Sequence, residues 1–344
     1  MSPKKIFILV AILIVLGGFF LIKPFSEKSI KYPSQTIPAP TLQKSCPPGF
    51  IKVPGNSNYS TSDFCLMKYD AKCDNPNPKC ITKEGVYRND LPGCSCQGNF
   101  QVVSTASGAP ITYIPEDDGT NQNAITYCKN ASWHLVTNNE WMTVARNVET
   151  VSANWCNKDG TGCGYSPGAP GKILVNGHND SSPNYALPES TDDKPCFGTT
   201  TDGTNVCGDK SSQKRTLTLT NGEVIWDLAG NVWQWIDAEI ARKDEPRTIV
   251  PGEGNLRWTW GEFQTVPYSN DYSSSNPAWN STQGIGKIYH YNSIGDKDTT
   301  LYTYIRAGNW RHGYDSGVFT IHMSPVASKT GIDDVGFRCA VDLK

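Results

Sequence analysis

Twelve cysteines are spread through a chain of 344 residues, the first at Cys46 and the last at Cys339, all downstream of an apolar stretch near the N-terminus. An even complement of thiols beyond an export-type segment reads as a disulfide framework, because such bonds persist in oxidising compartments. Staples of this kind constrain the fold strongly, since they hold loop-rich segments whose hydrophobic patterning is weak. Local bridges within the group Cys73, Cys80, Cys94 and Cys96, between Cys156 and Cys163, and between Cys196 and Cys207 suit the spacing, which leaves connectivity open. A zinc site at Cys94-Ser95-Cys96 is the weaker reading, because matching CxxC pairs and histidine partners are missing.

The apolar stretch runs from Ile6 to Ile22 behind Lys4 and Lys5. At about 1.5 Å per residue, its roughly 17 residues reach about 26 Å, near the lower limit for crossing a bilayer. The positive flank keeps residues 1–5 in the cytoplasm and sends the remainder outside. No Ala-x-Ala-like site follows, which favours an uncleaved transmembrane signal-anchor at 6–22 over a cleaved signal peptide. Residues 23–45 carry four prolines and little apolar periodicity, and read as a stalk. The expectation is a single-pass cell-membrane protein with an extracellular C-terminal domain. A formal net charge of -2 with no strongly basic face argues against nucleic acid as a partner.

The globular part spans residues 46–344. Ten Trp, 15 Tyr, 31 Gly and 23 Pro favour a loop-rich fold over a helical bundle. Short strands are predicted in "GFIKVPG" and "FCLMKYDAKC", the latter with Phe64 and Leu66 on the face opposite Cys65 and Met67. Two helices follow. One places Ala124, Tyr127 and Cys128 together; the other is capped by Thr137, closed by Glu140 in a capping box, and buries Trp141, Val144 and Ala145. "TLTLTNGEVIW" is a hairpin turning at Asn221-Gly222, and "WDLAGNVWQW" is a tight turn entering a strand. Residues 154–213 and 238–299 read as polar loops, the second carrying Trp258, Trp260 and Trp279. Final strands are expected in "TYIRAGNW", "GVFTIHM" and "DVGFRCAV", with Val318, Phe319, Ile321, Met323, Val335 and Phe337 inward.

Three ordered blocks, "YCKNASWHLVTNNEWMTVAR", "WDLAGNVWQW" and "RAGNW…VGFRCA", resemble the sulfatase-modifying-factor superfamily, whose catalytic members are formylglycine-generating enzymes. The likeness covers roughly residues 46 to 344. It implies an α+β, C-type-lectin-like fold with small antiparallel sheets and two helices, here preceded by one transmembrane helix. It further implies a bridge between Cys128 and Cys339, which would close a loop of about 210 residues and stabilise the fold by several kcal/mol on the chain-entropy view. Family members also hold structural calcium at the WxW turn. Carried over, that site takes a side-chain oxygen of Asp227, the carbonyls of Gly230 and Val232, and the amide oxygen of Gln234, all hard donors. Gln234 stands where the family often has Glu, which removes one negative charge. The alternative is a turn held without metal by Asp227 capping and Trp233 packing.

Formylglycine chemistry needs two cysteines about five residues apart, because paired thiolates hold Cu(I). The corresponding stretch, "NWRHGYDSGVF", contains none, so neither copper nor haem is expected. His134, His178, His290, His312 and His322 show no ligand spacing, and the pair Asp333-Asp334 reads as a solvated turn. The frame "RAGNW", "SGVF" and "GFRC" closely resembles the variable proteins of diversity-generating retroelements, whose C-terminal segment, here 304–341, is rewritten by adenine-directed mutagenesis. Arg311, His312, Tyr314, Asp315, His322, Ser324 and Pro325 can each be reached from an AAY codon by changing adenines alone. The sequence reading is therefore a non-catalytic surface receptor or adhesin for an unknown protein or cell-surface ligand. Its binding face is Asn309, Arg311, His312, Tyr314, Asp315 and Ser316 with His322, Ser324, Pro325 and Val326, helped by Trp258, Trp260 and Trp279. The alternatives are a superfamily enzyme with unrecognised metal-dependent oxidase chemistry, an ordinary static surface, or a surface-layer component.

Overall fold

The computed structural model describes residues 45–91, 94, 96, 101–117, 122–158, 162–181, 184–191, 214–246, 257–292, 297–323 and 332–343. The expected membrane span and stalk, the pair Cys196 and Cys207, and Ser324, Pro325 and Val326 lie outside them. Among the described residues no helix is long and apolar enough to cross a membrane.

The elements that position the site are, in chain order, β1 (Phe50–Val53), β2 (Phe64–Met67), α1 (Ala124–Asn130), β3 (His134–Leu135), α2 (Asn138–Glu149), β4 (Trp233–Ala241), β5 (Arg257–Gly261), β6 (Ile288–Asn292), β7 (Leu301–Arg306), β8 (Ile321–His322), β9 (Val335–Phe337) and β10 (Cys339–Asp342). A four-stranded sheet has the order β1-β2-β10-β3, and a six-stranded one the order β5-β6-β8-β7-β4-β9. The two helices and small sheets are as expected, but the larger sheet is mixed and not antiparallel throughout, because β4 pairs parallel with β9 and β6 parallel with β8. It also corrects the reading of 238–299 as a loop. That span supplies two sheet strands, in which "WTW" pairs with "YHY".

Local rules explain much of this frame. Thr137 Oγ1 accepts from the Glu140 amide at 3.3 Å, and Glu140 Oε2 accepts from the Thr137 amide at 2.9 Å, so two orphan donors at the start of α2 are satisfied together. Trp141, Val144 and Ala145 are fully buried, and Trp141 Nε1 donates to the Val318 carbonyl at 2.9 Å, tying α2 to the "SGVF" segment. The two faces of β2 serve two cores: Phe64 and Leu66 enter the cluster around Trp141, Cys65 and Met67 the one around Phe337. The hairpin pairs Leu217 with Ile225, as its sequence indicates.

Disulfides join Cys46 to Cys65, Cys73 to Cys96, Cys80 to Cys94, Cys156 to Cys163 and Cys128 to Cys339. The last links α1 to β10 across a separation of 211 residues. Arg338 is the single residue between β9 and β10, at the point where the chain leaves one sheet for the other. Its fully buried guanidinium reaches Asp70 Oδ1 at 2.5 Å and the carbonyls of Trp226 and Asp227 at 2.6 and 2.9 Å.

Candidate functional site

Residues paired directly across neighbouring strands project from the same face of a sheet. In the six-stranded sheet the register aligns Trp260 with Tyr289, Tyr289 with His322, His322 with Ile305, Ile305 with Trp235, and Trp235 with Phe337. One face thus carries a continuous row, buried at the Trp235–Phe337 end and half-exposed at the Trp260–Tyr289 end. The Tyr289 ring lies 4.4 Å from that of His322 and 5.0 Å from that of Trp260. Beside the row, Trp258 and Tyr291 pair with rings 5.1 Å apart, and Trp233 sets its ring 5.4 Å from His322 and 5.1 Å from His312.

Over this row lies a cavity of about 180 Å³. Trp233, Trp235, Thr303, Ile305 and His322 contribute to its lining from the sheet, His312 from the turn after β7, and Ile332 and Asp334 from the turn before β9. The "RAGNW" turn feeds it. Gly308 has φ +79°, and a Cβ there would sit 2.2 Å from Ser316 Oγ; Gly317 passes so close to Ile285 that a Cβ would meet its carbonyl carbon at 2.3 Å. These frame glycines let two backbones touch and bring residues 309–316 over the sheet.

A buried amide organises the polar rim. Asn309 Nδ2 donates to Asp334 Oδ2 at 2.5 Å, while its Oδ1 accepts from the Arg311 amide at 2.9 Å and from His312 Nδ1. Because that oxygen is an acceptor, His312 carries its proton on Nδ1 and keeps Nε2 as an acceptor. Burial holds His312 down to about 4, and burial together with repulsion from His312 holds His322 down to about 3, so both imidazoles are neutral at neutral pH. Burial and the neighbouring Asp333 push Asp334 up to about 6, against the pull of Arg311. The Arg311 side chain is 44% exposed, and its guanidinium is 3.4 Å from Asp334 and 3.6 Å from Asp333 and lies 4.8 Å over the Trp310 ring.

The structure sorts the predicted face. Arg311 and Tyr314 are exposed, His312 and His322 half-buried at the cavity, and Asp315 is paired with Lys287 at 2.9 Å. Asn309 and Ser316 correct the expectation: both are fully buried and hold the turn, Ser316 Oγ donating to the Asn309 carbonyl at 3.2 Å. Trp258 and Trp260 belong to the aromatic face, but Trp279 does not, since its ring packs 4.8 Å from Trp155 elsewhere. Sequence reasoning missed Trp233, Trp235, Tyr289 and Ile332, and took Asp334 for a solvated turn residue. The signal that could have found the first three is the matching alternation of "WQW", "WTW" and "YHY".

The residues proposed for calcium do not fit it. Both Asp227 oxygens are committed to Arg215, whose Nε and Nη2 donate at 2.7 Å each, and Oδ2 also accepts from Ser190 at 3.1 Å. The Val232 carbonyl accepts from Gln234 Nε2 at 3.2 Å, and the same nitrogen donates to Asp70 Oδ1 at 2.9 Å. That orientation leaves Gln234 Oε1 buried with no hydrogen-bond partner among the described residues. Gly230 meets the demand of the turn through its backbone, at φ +71°. The buried Arg215 guanidinium thus neutralises the only carboxylate of the expected set, where a dication would need that charge. His134, Glu140 and Asp342 also converge, but His134 Nε2 already contacts Glu140 Oε1 at 2.7 Å, and the other Glu140 oxygen closes the α2 cap.

The sequence matches the family of the sulfatase-modifying factor enzyme 1-like domain over residues 11–343. The chain belongs to that sulfatase-modifying factor family. No curated protein matches it. Among solved structures it is similar to the Major Tropism Determinant P3c variant, at 14% identity and a TM-score of 0.32, covering 86% of this chain and 53% of that one. The I1 variant gives the same values, and the M1 variant 12% identity, a TM-score of 0.32, and coverage of 87% and 53%. The chain therefore spans about half the length of these proteins. No cysteine stands between Tyr304 and Val326 of this sulfatase-modifying factor protein. All ten described cysteines are in disulfides.

Proposed function

We propose that this sulfatase-modifying factor protein is a surface-displayed, non-catalytic ligand-binding protein, a receptor or adhesin that meets its partner at the cavity beside His312 and His322. One observation carries the reading. The turn that bears paired copper-binding cysteines in formylglycine-generating enzymes here bears Arg311, His312, Tyr314 and Asp315, with Arg311 and Tyr314 exposed beside a cavity over an aromatic row. Exposed arginine and tyrosine next to a pocket are the residue types that dominate binding energy at interfaces. The brace from α1 to β10 and the buried frame residues Val318, Phe319 and Phe337 support the reading that the turn tolerates varied side chains. The likeness of the "RAGNW", "SGVF" and "GFRC" frame to retroelement-diversified proteins makes residues 304–341 the proposed variable region. The segment at 6–22 is the proposed anchor that turns this face outward.

Two measurements test this. Sequencing the locus across a cell population is expected to find changes gathered at the codons of Arg311, His312, Tyr314, Asp315, His322, Ser324 and Pro325. Those of Gly308, Trp310, Gly317 and Cys339 stay constant, and a reverse-transcriptase gene and a near-copy of the segment lie nearby. Purified chain that carries stoichiometric copper or iron and oxidises cysteine peptides would sink the binder reading in favour of an oxidase.

A further inference from the structure

The cavity has a chemical preference of its own. The carboxylate of Asp334 lies at its edge with the side chain only 17% exposed, held in place by Asn309. The neutral ring of His312 offers Nε2, an acceptor by the tautomer that Asn309 imposes. The indoles of Trp233 and Trp235 add electron-rich surface. Carboxylate, acceptor nitrogen and indole all favour a donor-bearing positive charge, and neither imidazole opposes it at neutral pH. The volume, about 180 Å³, lies below the roughly 300–1,000 Å³ of pockets for drug-sized ligands, which suits one long side chain and not a helix or an oligosaccharide. Arg311 already shows the chemistry from within the chain: its guanidinium lies 4.8 Å over the Trp310 ring and 3.4 Å from Asp334.

We infer that the cavity takes a cation on an apolar stem, an arginine or lysine side chain of a partner protein, with Asp334 as the counter-ion and Trp233 and Trp235 as the aromatic walls. This rests on the ligand-binding reading above and names the class of group that reading leaves open. Arg311 competes for the same carboxylate from the rim, so removing its charge should strengthen capture rather than weaken it.

The test titrates the full purified chain with Nα-acetyl-arginine methylamide, its neutral isostere Nα-acetyl-citrulline methylamide, and choline, read by tryptophan fluorescence and calorimetry. The arginine derivative is expected to bind about tenfold more tightly than the citrulline one. Asp334→Asn is expected to remove most of that difference, and Arg311→Gln to tighten arginine binding several-fold. Thermal melts of both variants separate a lost counter-ion from a lost fold, and Arg311→Gln, at an exposed position, keeps the test decisive if Asp334→Asn unfolds. Equal affinity for arginine and citrulline, or weaker arginine binding by Arg311→Gln, overturns the inference. Choline binding more tightly than the arginine derivative overturns its source in a protein side chain. If neither amino-acid probe binds while a protein ligand does, and that binding is lost on Arg311→Ala and Tyr314→Ala, the cation class falls and the binder reading stands; thiol-oxidase activity sinks the binder reading itself.

Discussion

Asn309 and Asp334, 25 residues apart in sequence, are joined by a 2.5 Å hydrogen bond that fixes one wall of the cavity. The same buried amide holds the Arg311 backbone and the His312 ring, so one side chain sets the position of three rim residues.

Removing that amide should cost both stability and binding. Asn309→Ala takes a buried amide from the Asp334 carboxylate, the Arg311 backbone and the His312 ring at once, and is expected to destabilise the fold by about 2 kcal/mol. Arg311→Ala, at an exposed position, should stay within about 0.5 kcal/mol of the parent. Chemical denaturation of both variants checks the contrast, and equal effects would show that Asn309 does not organise the rim.

Calcium should not matter to this turn. Chelator and added calcium are expected to leave Tm unchanged, because the Asp227 carboxylate, the one charged ligand of the expected set, is already paired through both oxygens with Arg215. Arg338→Met breaks a buried ion pair from one side and should cost about 3–5 kcal/mol. A Tm that falls with chelator would restore the metal.

The Cys128–Cys339 bridge spans 211 residues, and the chain-entropy relation assigns such a loop about 5 kcal/mol. A double Cys128→Ser, Cys339→Ser variant should lose a large part of that in guanidinium unfolding, about twice the loss of a double serine variant of Cys156 and Cys163, which are 7 residues apart.

Glu116 should contribute more stability on mild acidification, in the opposite sense to the buried, neutral His312 and His322. Burial pushes Glu116 up to about 7, helped by Asp237, Glu239 and Asp117 and opposed by a hydrogen bond with Thr303. The folded state therefore keeps a proton that the unfolded chain releases near pH 4.5, and the contribution present below that pH is lost as pH rises toward 7. Glu116→Gln, which cannot ionise, should flatten this part of the profile by about 2 kcal/mol between pH 5 and 7.5. A difference between wild type and Glu116→Gln that stays constant across that range would refute the assignment.

Local rules made several elements legible. The Thr137–Glu140 box and the inward Trp141, Val144 and Ala145 define α2 from side chains three and four apart, and the Asn221-Gly222 hairpin needs only its own turn. The alternation of Phe64 and Leu66 against Cys65 and Met67 separates two faces of one strand, and both faces are buried. The site was less legible. Exposed positions in "NWRHGYDSGVF" cannot be told from buried ones there, because Asn309 and Ser316 are polar yet satisfied inside, in a turn whose path depends on Gly308 meeting Ser316.

By itself the sequence determined the disulfide-rich character, the helix caps, the turn chemistry and the loss of thiols from the terminal turn, all of which depend on neighbours in the chain. Only the tertiary structure decided that Trp260, Tyr289, His322, Ile305, Trp235 and Phe337 form one row. Strand alternation says which residues share a face, but strand order and register come from long-range packing, and the neighbours of β8 are drawn from segments on both sides of a mixed sheet. Arg338 marks the same division: its local sequence is an ordinary strand, and its place between two sheets gives its guanidinium the work of holding the turn at Asp227.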